Sequence, residues 1–341
     1  MSTLKNITGS MLIDARAVFL NGAGLGSGED RNKVIPKTFR ERVNGKLEKV
    51  PYVSAQAWRR WLRNTTNEEN NWIPSELKAI AQNAKGSTTK ISTELNPIDF
   101  PEDDLFGYMR SGGSGEESVQ RTSPFKTSIL KGVEGKRVIN TDEAFVHLKE
   151  GTPLPYSTDF YSTHLEGFFN LEYYRLGVYD NLGSKVELAK EFVEQYAADK
   201  LEHSKIYKNH DRYTLKGAET VRKKRATGLL KGLSQLRGGA KMAAFGADVS
   251  PKVLILAGME CANPVFNDLF DGTGAKPTLK VNALLEIIED YQSKLATPVY
   301  VGIRNGYLEN ELMIKDLEKD NNIVIGSPIG ITNSFIENHL N

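Results

Sequence analysis

Residues 54–64 read SAQAWRRWLRN, and this stretch predicts an amphipathic helix. Ser54 stands where an N-cap residue accepts a hydrogen bond from the first turn. On a helical wheel of about 100° per residue the side chains separate into two faces. The apolar face carries Trp58, Trp61 and Leu62, and the basic face carries Gln56, Arg59, Arg60 and Arg63. We therefore expect the tryptophans to be core residues and the arginines to face a ligand or solvent.

The basic face has no acidic partner at a spacing of three or four residues within the helix. Three guanidinium groups on one side of a helix repel one another unless an anion lies against them. The phosphates of a nucleic acid would supply that anion, because each guanidinium can bind a phosphate bidentately. A solvated basic face, or ion pairs to acids elsewhere in the chain, is the alternative. The residues of the helix leave both interpretations open.

Strands and a second helix flank this helix in a recognisable order. Alternating or apolar segments predict strands at 10–20, 121–130, 165–178 and 252–258, and a second helix at 215–237. Together with the helix at 54–64 they give the order β-α-β-β-α-β. This order is typical of the α+β ferredoxin-like or RRM-like fold.

The remaining segments predict insertions into that fold. We expect further helices at 75–84, 185–207 and 279–293, a hairpin around Asn44–Gly45, and a C-terminal tail after a strand at 298–303. The predicted units are a first part of the palm (1–64), a finger or helical insertion (65–120), a palm strand (121–130), a thumb insertion (131–162), the rest of the palm (163–265) and a C-terminal extension (266–341).

The first predicted strand ends in AVFLNGAGLGSGED, residues 17–30, which has some features of a phosphate-binding loop. Its glycines at 22, 24, 26 and 28 do not match the Gly-x-Gly-x-x-Gly spacing, and a hairpin follows where a helix would be needed. We interpret the segment as a loop that leaves the strand, without a nucleotide pocket.

Composition excludes several classes of protein. The 341 residues are 39% hydrophobic and 26% charged, with a net charge of +1. No apolar run reaches the ~18 residues of a membrane span, and no signal-peptide pattern is present, so we expect a cytoplasmic protein. A single cysteine, Cys261, and five histidines without metal-ligand spacing predict no metal site and no cofactor.

Five segments in the same order resemble one known family. They are ITGSMLIDARAVFLNGAG, YVSAQAWRRWLR, DDLFGYM, RTSPFKTSIL and LRGGAKMAAFGADVSPKVLIL. The helix resembles the Ser-x-Gln-x-x-(Lys/Arg)-Arg-x-x-Arg pattern of the CRISPR-associated DevR-type proteins, which are backbone subunits of type I, I-B-like Cascade complexes. The similarity covers residues 5 to about 265.

This resemblance implies a non-catalytic protein that binds guide RNA (crRNA), polymerises along it and presents it for pairing with target DNA. Gln56, Arg59, Arg60 and Arg63 would contact the guide backbone, Gly238, Gly239 and Lys241 would form a second contact, and Lys33 and Lys37 are further candidates. A thumb within residues 131–162 would reach a neighbouring copy. The aromatic residues of GFFNLEYYRLGVY lack an RNP1 sequence, so we expect core packing.

The resemblance also implies partners and an alternative activity. Partners would be guide RNA, the target DNA strand, neighbouring copies and other Cascade subunits. A nuclease-helicase or a transposition machinery would act downstream. Backbone subunits of type III complexes instead cut target RNA with a loop aspartate, for which Glu29 and Asp30 are the corresponding residues here. An RNA-binding protein outside CRISPR systems is the third hypothesis.

Overall fold

The protein is a mixed fold of α-helices and several β-sheets. The computed structural model describes residues 3–23, 32–43, 45–82, 88–112, 117–135, 137–146, 150–152, 154–319 and 322–341. Among these residues no helix is both long and apolar enough to cross a bilayer.

The α-helices in these ranges are α1 (Ala55–Asn70), α2 (Pro101–Phe106), α3 (Lys190–Tyr196), α4 (Ala218–Ser234), α5 (Val281–Asp290), α6 (Glu311–Lys315) and α7 (Pro328–His339). The strands are β1 (Asn6–Val18), β2 (Lys33–Val34), β3 (Thr38–Val43), β4 (Lys46–Val53), β5 (Lys78–Gln82), β6 (Thr88–Ser92), β7 (Tyr108–Arg110), β8 (Val119–Arg121), β9 (Phe125–Thr127), β10 (Leu130–Gly132), β11 (Val138–Val146), β12 (Leu154–Leu171), β13 (Val178–Leu182), β14 (Lys185–Val186), β15 (Leu201–Ile206), β16 (His210–Leu215), β17 (Val253–Met259), β18 (Phe270–Asp271), β19 (Thr278–Leu279), β20 (Val299–Ile303) and β21 (Ile323–Gly326).

The main sheet is built around β1, which pairs antiparallel with β12 on one side and with β17 on the other. Its strand order is β21-β20-β17-β1-β12-β10-β4-β3. The register places Met11 opposite Gly167 of β12 and Leu254 of β17. The predicted strand at 121–130 is in fact three short strands, β8, β9 and β10, and only β9 and β10 pair with β12.

Both faces of this sheet are covered in its centre. Met11 and Leu254 pack into one core cluster with Trp58 of α1 and with leucines of α4. The next residue along β1, Leu12, packs into a second cluster with Phe266 and with residues of α5. Neighbouring residues of a strand point to opposite faces, so the central strands are apolar on both sides.

Several predicted elements agree with the structure. The helix at 54–64 forms and continues to Asn70, and the helices predicted at 215–237 and 279–293 appear as α4 and α5. At the predicted hairpin β3 pairs with β4, with Val43 opposite Lys46, and Gly45 has a φ of 81°, a value that favours glycine in a tight turn, while Asn44 lies outside the described residues. The aromatic segment after Glu166 is mostly buried, with Phe169 and Tyr179 fully so.

Other predictions were wrong. Residues 75–82, the described part of the helix predicted at 75–84, form no helix: β5 pairs with β6, with Lys78 opposite Ser92, and this pairing overrides the helix-favouring composition. Only Lys190–Tyr196 is helical within 185–207, because the segments on either side join hairpins with β13 and β16. The predicted strand at 165–178 ends at Leu171, and β13 belongs to a second sheet.

The C-terminal residues are also ordered rather than a tail. β21 pairs parallel with β20 at the edge of the main sheet. Ser327 caps α7 and Pro328 follows it, a helix-start signal that the sequence contained. Phe335 of this helix is fully buried.

The second sheet has the order β15-β16-β13-β14-β8-β7. It is formed largely from the predicted finger insertion and from residues 178–215. The hairpin of β11 and β12 is part of the main sheet, and in it Val138 lies opposite Ser162 and Val146 opposite Leu154. This hairpin occupies the predicted thumb, of which residues 136, 147–149 and 153 lie outside the described residues.

Candidate nucleic-acid interface

Helix α1 is fixed to the core through its apolar face. The Ser54 side chain accepts a hydrogen bond from the Ala57 N–H, which caps the first turn. Trp58 and Leu62 are completely buried, and the Trp58 indole N–H donates to the Ser128 carbonyl oxygen at 2.8 Å. This confirms the predicted core role of Trp58 and sets the rotation of the helix about its axis.

The four predicted residues of the basic face line one shallow pocket of about 200 Å³. Its lining residues are Gln56, Arg59, Arg60, Arg63, Phe106 and Gly107. Gln56 and Arg60 are exposed to solvent, whereas Arg59 and Arg63 are half-buried. Among the described residues the Arg60 guanidinium has no hydrogen-bond or ion-pair partner, so it is the group of this set that is free to meet an anion.

Arg59 is engaged by the protein itself. Its guanidinium donates to the carbonyl oxygens of Phe125 and Phe106, the latter at 3.1 Å, and to the Ser123 hydroxyl at 2.8 Å. Burial, followed by the neighbouring charge of Arg63, lowers the pKa of Arg59. These acceptors carry no net negative charge, so Arg59 keeps an unneutralised positive charge at the wall of the pocket.

Arg63 has the acidic partners that the helix lacks. It donates to Glu102 at 2.7 Å and to Asp103 at 3.2 Å, both in α2. Burial lowers the pKa of Arg63, but the hydrogen bond with Glu102 and the charges of both acids outweigh it and raise the pKa overall. Of the alternatives considered for the basic face, ion pairing to acids elsewhere therefore applies to Arg63.

The three acids of α2 are the residues that the sequence reasoning did not assign to this site. Glu102, Asp103 and Asp104 are all buried. Burial raises the pKa of Asp103 to about 6, since the nearby Arg63 charge offsets only part of the desolvation. The sequence did contain a signal for this role. The apolar residues that follow these acids predict that the acids are buried, and a buried carboxylate needs a counter-charge.

Asp104 joins the pocket to the rest of the molecule. It forms ion pairs with Arg121 of β8 and Arg225 of α4, and it accepts a hydrogen bond from the Gly177 N–H at 2.9 Å. Arg121 also contacts Glu187 at 3.1 Å. Within the described part of the chain no group of three or more potential metal ligands occurs. The buried acids act as counter-charges for arginines.

The second predicted group, residues 238–241, lies beside α1. A Cβ atom on Gly238 would stand 2.2 Å from Cγ of Trp61, so only glycine allows this approach. The Ala240 N–H donates to the Leu20 carbonyl oxygen at 3.1 Å. Lys241 donates to the Thr158 hydroxyl at 2.8 Å and lies 5.5 Å from the centre of the Phe19 ring.

Lys33 and Lys37 lie at the same place in the fold. Lys33 contacts Asp159 at 3.3 Å, next to the Thr158 that binds Lys241. The Lys37 N–H donates to the Asn21 carbonyl oxygen at 2.8 Å. The Asn21 side chain in turn accepts from the N–H of the helix cap Ser54 at 3.0 Å. The end of β1 therefore connects all three predicted groups.

Glu29 and Asp30, together with most of the glycine loop, lie outside the described residues. Gly239, which is described, has a φ of 135°, and a Cβ there would stand 2.7 Å from the Met242 sulfur.

Comparisons with known proteins give one family model and solved structures of the same fold. A family model described as CRISPR-associated negative auto-regulator DevR/Csa2 matches residues 19–274. A chain of a "CRISPR RNA-guided surveillance complex" has a similar structure, with a TM-score of 0.54 and 12% identity over 98% of this chain and 99% of that one. A chain of a "CRISPR RNA-guided surveillance complex, pre-nicking" has a TM-score of 0.58 with the same identity and coverage. No curated protein matches the sequence.

The two structural likenesses show a shared fold along the whole chain, while the family model covers both α1 and residues 238–241. The chain belongs to the CRISPR-associated DevR/Csa2 family.

Proposed function

We propose that this protein binds CRISPR guide RNA through its phosphates, as a backbone subunit of a type I surveillance complex. The observation that carries the proposal is the convergence of three separate segments, 33–37, 56–63 and 238–241, around the end of β1. Each segment brings basic side chains, and convergence of positive charge from distant parts of a chain is the electrostatic footprint of nucleic-acid binding.

Within this surface the residues differ in their expected role. Arg60 and Gln56 are exposed and are the direct phosphate contacts. Arg59 supplies positive charge from the pocket wall, and Arg63 positions the helix through its ion pair with Glu102. Lys33 pairs with the half-buried Asp159 and Lys241 donates to the Thr158 hydroxyl, both on β12, and a phosphate oxygen can take the place of either acceptor.

We also propose that the central strands form an RRM-like palm. The order β17-β1-β12-β10 with antiparallel neighbours supports it, since β-α-β-β-α-β connectivity gives this arrangement. In an RRM one sheet face stacks bases on aromatic rings. Here residues 266–303 cover that face, which favours recognition of the guide's backbone over its bases.

In this proposal neighbouring copies assemble along the guide, the β11–β12 hairpin acts as the thumb, and the bound guide pairs with target DNA. Other Cascade subunits complete the complex. The protein itself cleaves nothing. The alternative is a metal-dependent ribonuclease that uses Asp30. An assay of target RNA cleavage with Mg²⁺, with Asp30→Ala as control, separates the two, and cleavage at regular intervals that the substitution abolishes would refute the non-catalytic role.

The RNA that copurifies with the protein tests the central claim. We expect RNA of one guide length that carries a repeat-derived sequence, because copies of the subunit protect a guide along its length. Heterogeneous RNA, or none, would contradict the proposal. An unrelated RNA-binding role predicts heterogeneous RNA and retained affinity for any single strand.

A further inference from the structure

We propose that the RNA strand bound at α1 continues into a second contact site, which lies on the second sheet. This inference rests on the proposed function. The site is a cleft of about 430 Å³, the Tyr174 cleft, formed by β13, β14, β16 and the start of α4. The residues on which the inference depends are Tyr174, Arg175, Lys185, Arg212, Thr214 and Arg222. From the sequence, Tyr174 was expected to pack in the core with the other aromatic residues of 167–179, and none of the six residues was predicted to bind a ligand.

The Tyr174 cleft has a surplus of positive charge. Four cationic side chains line it against two carboxylates, Asp180 and Glu187. Asp180 accepts two hydrogen bonds from the Arg212 guanidinium, at 2.7 and 2.8 Å, and Glu187 accepts one from Arg175 at 2.9 Å. The carboxylates of the cleft are therefore already paired, and the remaining cations need an anion from outside.

Arg222 and Lys185 provide the unused donors. Arg222 donates its Nε–H to the Leu176 carbonyl oxygen at 3.2 Å, and its two terminal nitrogens have no acceptor within the described residues. The nearest carboxylate to the Lys185 ammonium is Glu187 at 3.9 Å, beyond hydrogen-bond distance. A guanidinium with a free pair of terminal nitrogens matches the two oxygens of a phosphate.

An aromatic ring in the same cleft favours nucleic acid over other anions. Tyr174 is 49% exposed although it lies in the cleft wall, in contrast to Tyr173 at 8%. A phosphate site beside an exposed aromatic ring is the usual arrangement for single-stranded nucleic acid, since a base can stack on the ring while the cations hold the backbone. An acidic peptide would use the charges but not the ring.

The position of the cleft connects it to α1. Arg59 donates to the Ser123 hydroxyl at 2.8 Å, and Arg175 donates to the Thr122 carbonyl oxygen at 3.0 Å. The basic pocket of α1 and the Tyr174 cleft thus border the same short connection between β8 and β9. An RNA strand that leaves one site can enter the other without crossing the protein core.

Titration of the full-length protein with fluorescent U30 RNA at several salt concentrations tests the inference. The double variant Lys185→Gln, Arg222→Gln should lower the slope of log affinity against log salt by about 1.4, the loss of two phosphate contacts. Tyr174→Leu should weaken binding by at least about 5-fold and leave the slope unchanged. Lys224→Gln, exposed on α4 outside the cleft, is the matched control and should behave as wild type.

The outcomes separate this inference from the proposed function. If Arg60→Gln weakens RNA binding while the cleft variants equal the Lys224→Gln control, the function stands and the second site is refuted. If no variant on either surface changes binding, the proposed function fails as well. A glutamate-rich peptide that binds wild type, loses affinity in the double variant and is unaffected by Tyr174→Leu would assign the cleft to a protein partner and overturn the inference. Tyr174 and Lys185 are exposed, so Tyr174→Leu, and Lys185→Gln made alone, test the site even if Arg222→Gln unfolds the protein.

Discussion

Arg63 of α1 and Glu102 of α2 form an ion pair, with 2.7 Å between Nη2 and Oε1; the Glu102 side chain is buried and the Arg63 side chain is 14% exposed. Arg60, one turn of the same helix earlier, is exposed. Of these two arginines of the same basic motif, only Arg63 has an acidic partner among the described residues, so the two should respond differently to mutation.

We expect Arg60→Gln to weaken RNA binding without loss of stability, and Arg63→Ala to destabilise the fold. Removing Arg63 leaves two buried carboxylates without their counter-charge, which costs about 3–5 kcal/mol. Urea unfolding gives the stability and RNA titration across salt concentrations gives the number of phosphate contacts. An Arg63→Ala protein of wild-type stability would show that the ion pair does not hold α1 in place.

Asp104→Asn should be strongly destabilising, by about 3–5 kcal/mol, because it removes the carboxylate shared by the buried Arg121 and Arg225. The control is Asp268→Asn, which breaks a surface ion pair with Lys131 at 2.8 Å and should cost at most about 1 kcal/mol. Thermal or urea unfolding of the two variants measures the difference. Equal stabilities would contradict the buried network.

Asp103 should make stability depend on pH. Burial raises its pKa to about 6, above the ordinary value near 4. The folded state thus holds this proton more tightly, so the contribution of Asp103 is complete below about pH 4 and is lost as the pH rises through about 6. The loss is on the order of 3 kcal/mol.

The free energy of unfolding of wild type and Asp103→Asn between pH 4 and 7 measures this contribution. Wild type should lose stability relative to the variant across that interval. Asp142→Asn, at an exposed position on β11, is the control and should follow wild type. A constant difference between wild type and Asp103→Asn at all pH values would refute the assignment.

Gly238→Ala should impair both folding and RNA binding. The added Cβ would stand 2.2 Å from the Trp61 ring, so α1 or the segment that carries Lys241 must shift. We expect a cost of about 1–3 kcal/mol, as for other overpacked sites. Gly246→Ala in the same segment meets its nearest atom at an ordinary 3.5 Å and is the matched control. Unfolding and RNA titration of both variants test the contact.

The sequence predicted the orientation of α1 but not the partners of its arginines. A helical period is a local property, so the wheel correctly placed Trp58 inside and Arg60 outside. The partners of Arg59 and Arg63 come from Ser123 and Glu102, which are distant in the chain. Residues 54–64 alone carry no information about the distant segments that contact them in the folded protein.

A local sequence pattern also does not reveal distant strand partners, and this explains why the helix predicted at 75–84 is wrong. Residues 75–84 have a helix-favouring composition, yet Lys78–Gln82 within them form β5, which pairs with β6. A propensity of a few tenths of a kcal/mol per residue is smaller than the gain from a paired strand in the right tertiary place. The Ser327–Pro328 start of α7, in contrast, was a local signal that the prediction of a tail overlooked.

The ion pairs of Asp104 also restrict how the molecule can move. Arg121 belongs to the second sheet and Arg225 to α4, and both lie on one buried carboxylate. Any hinge between that sheet and α4 would separate opposite charges in a medium of low dielectric constant, which is far costlier than bending a solvated loop. The second sheet and α4 therefore move together as one rigid unit.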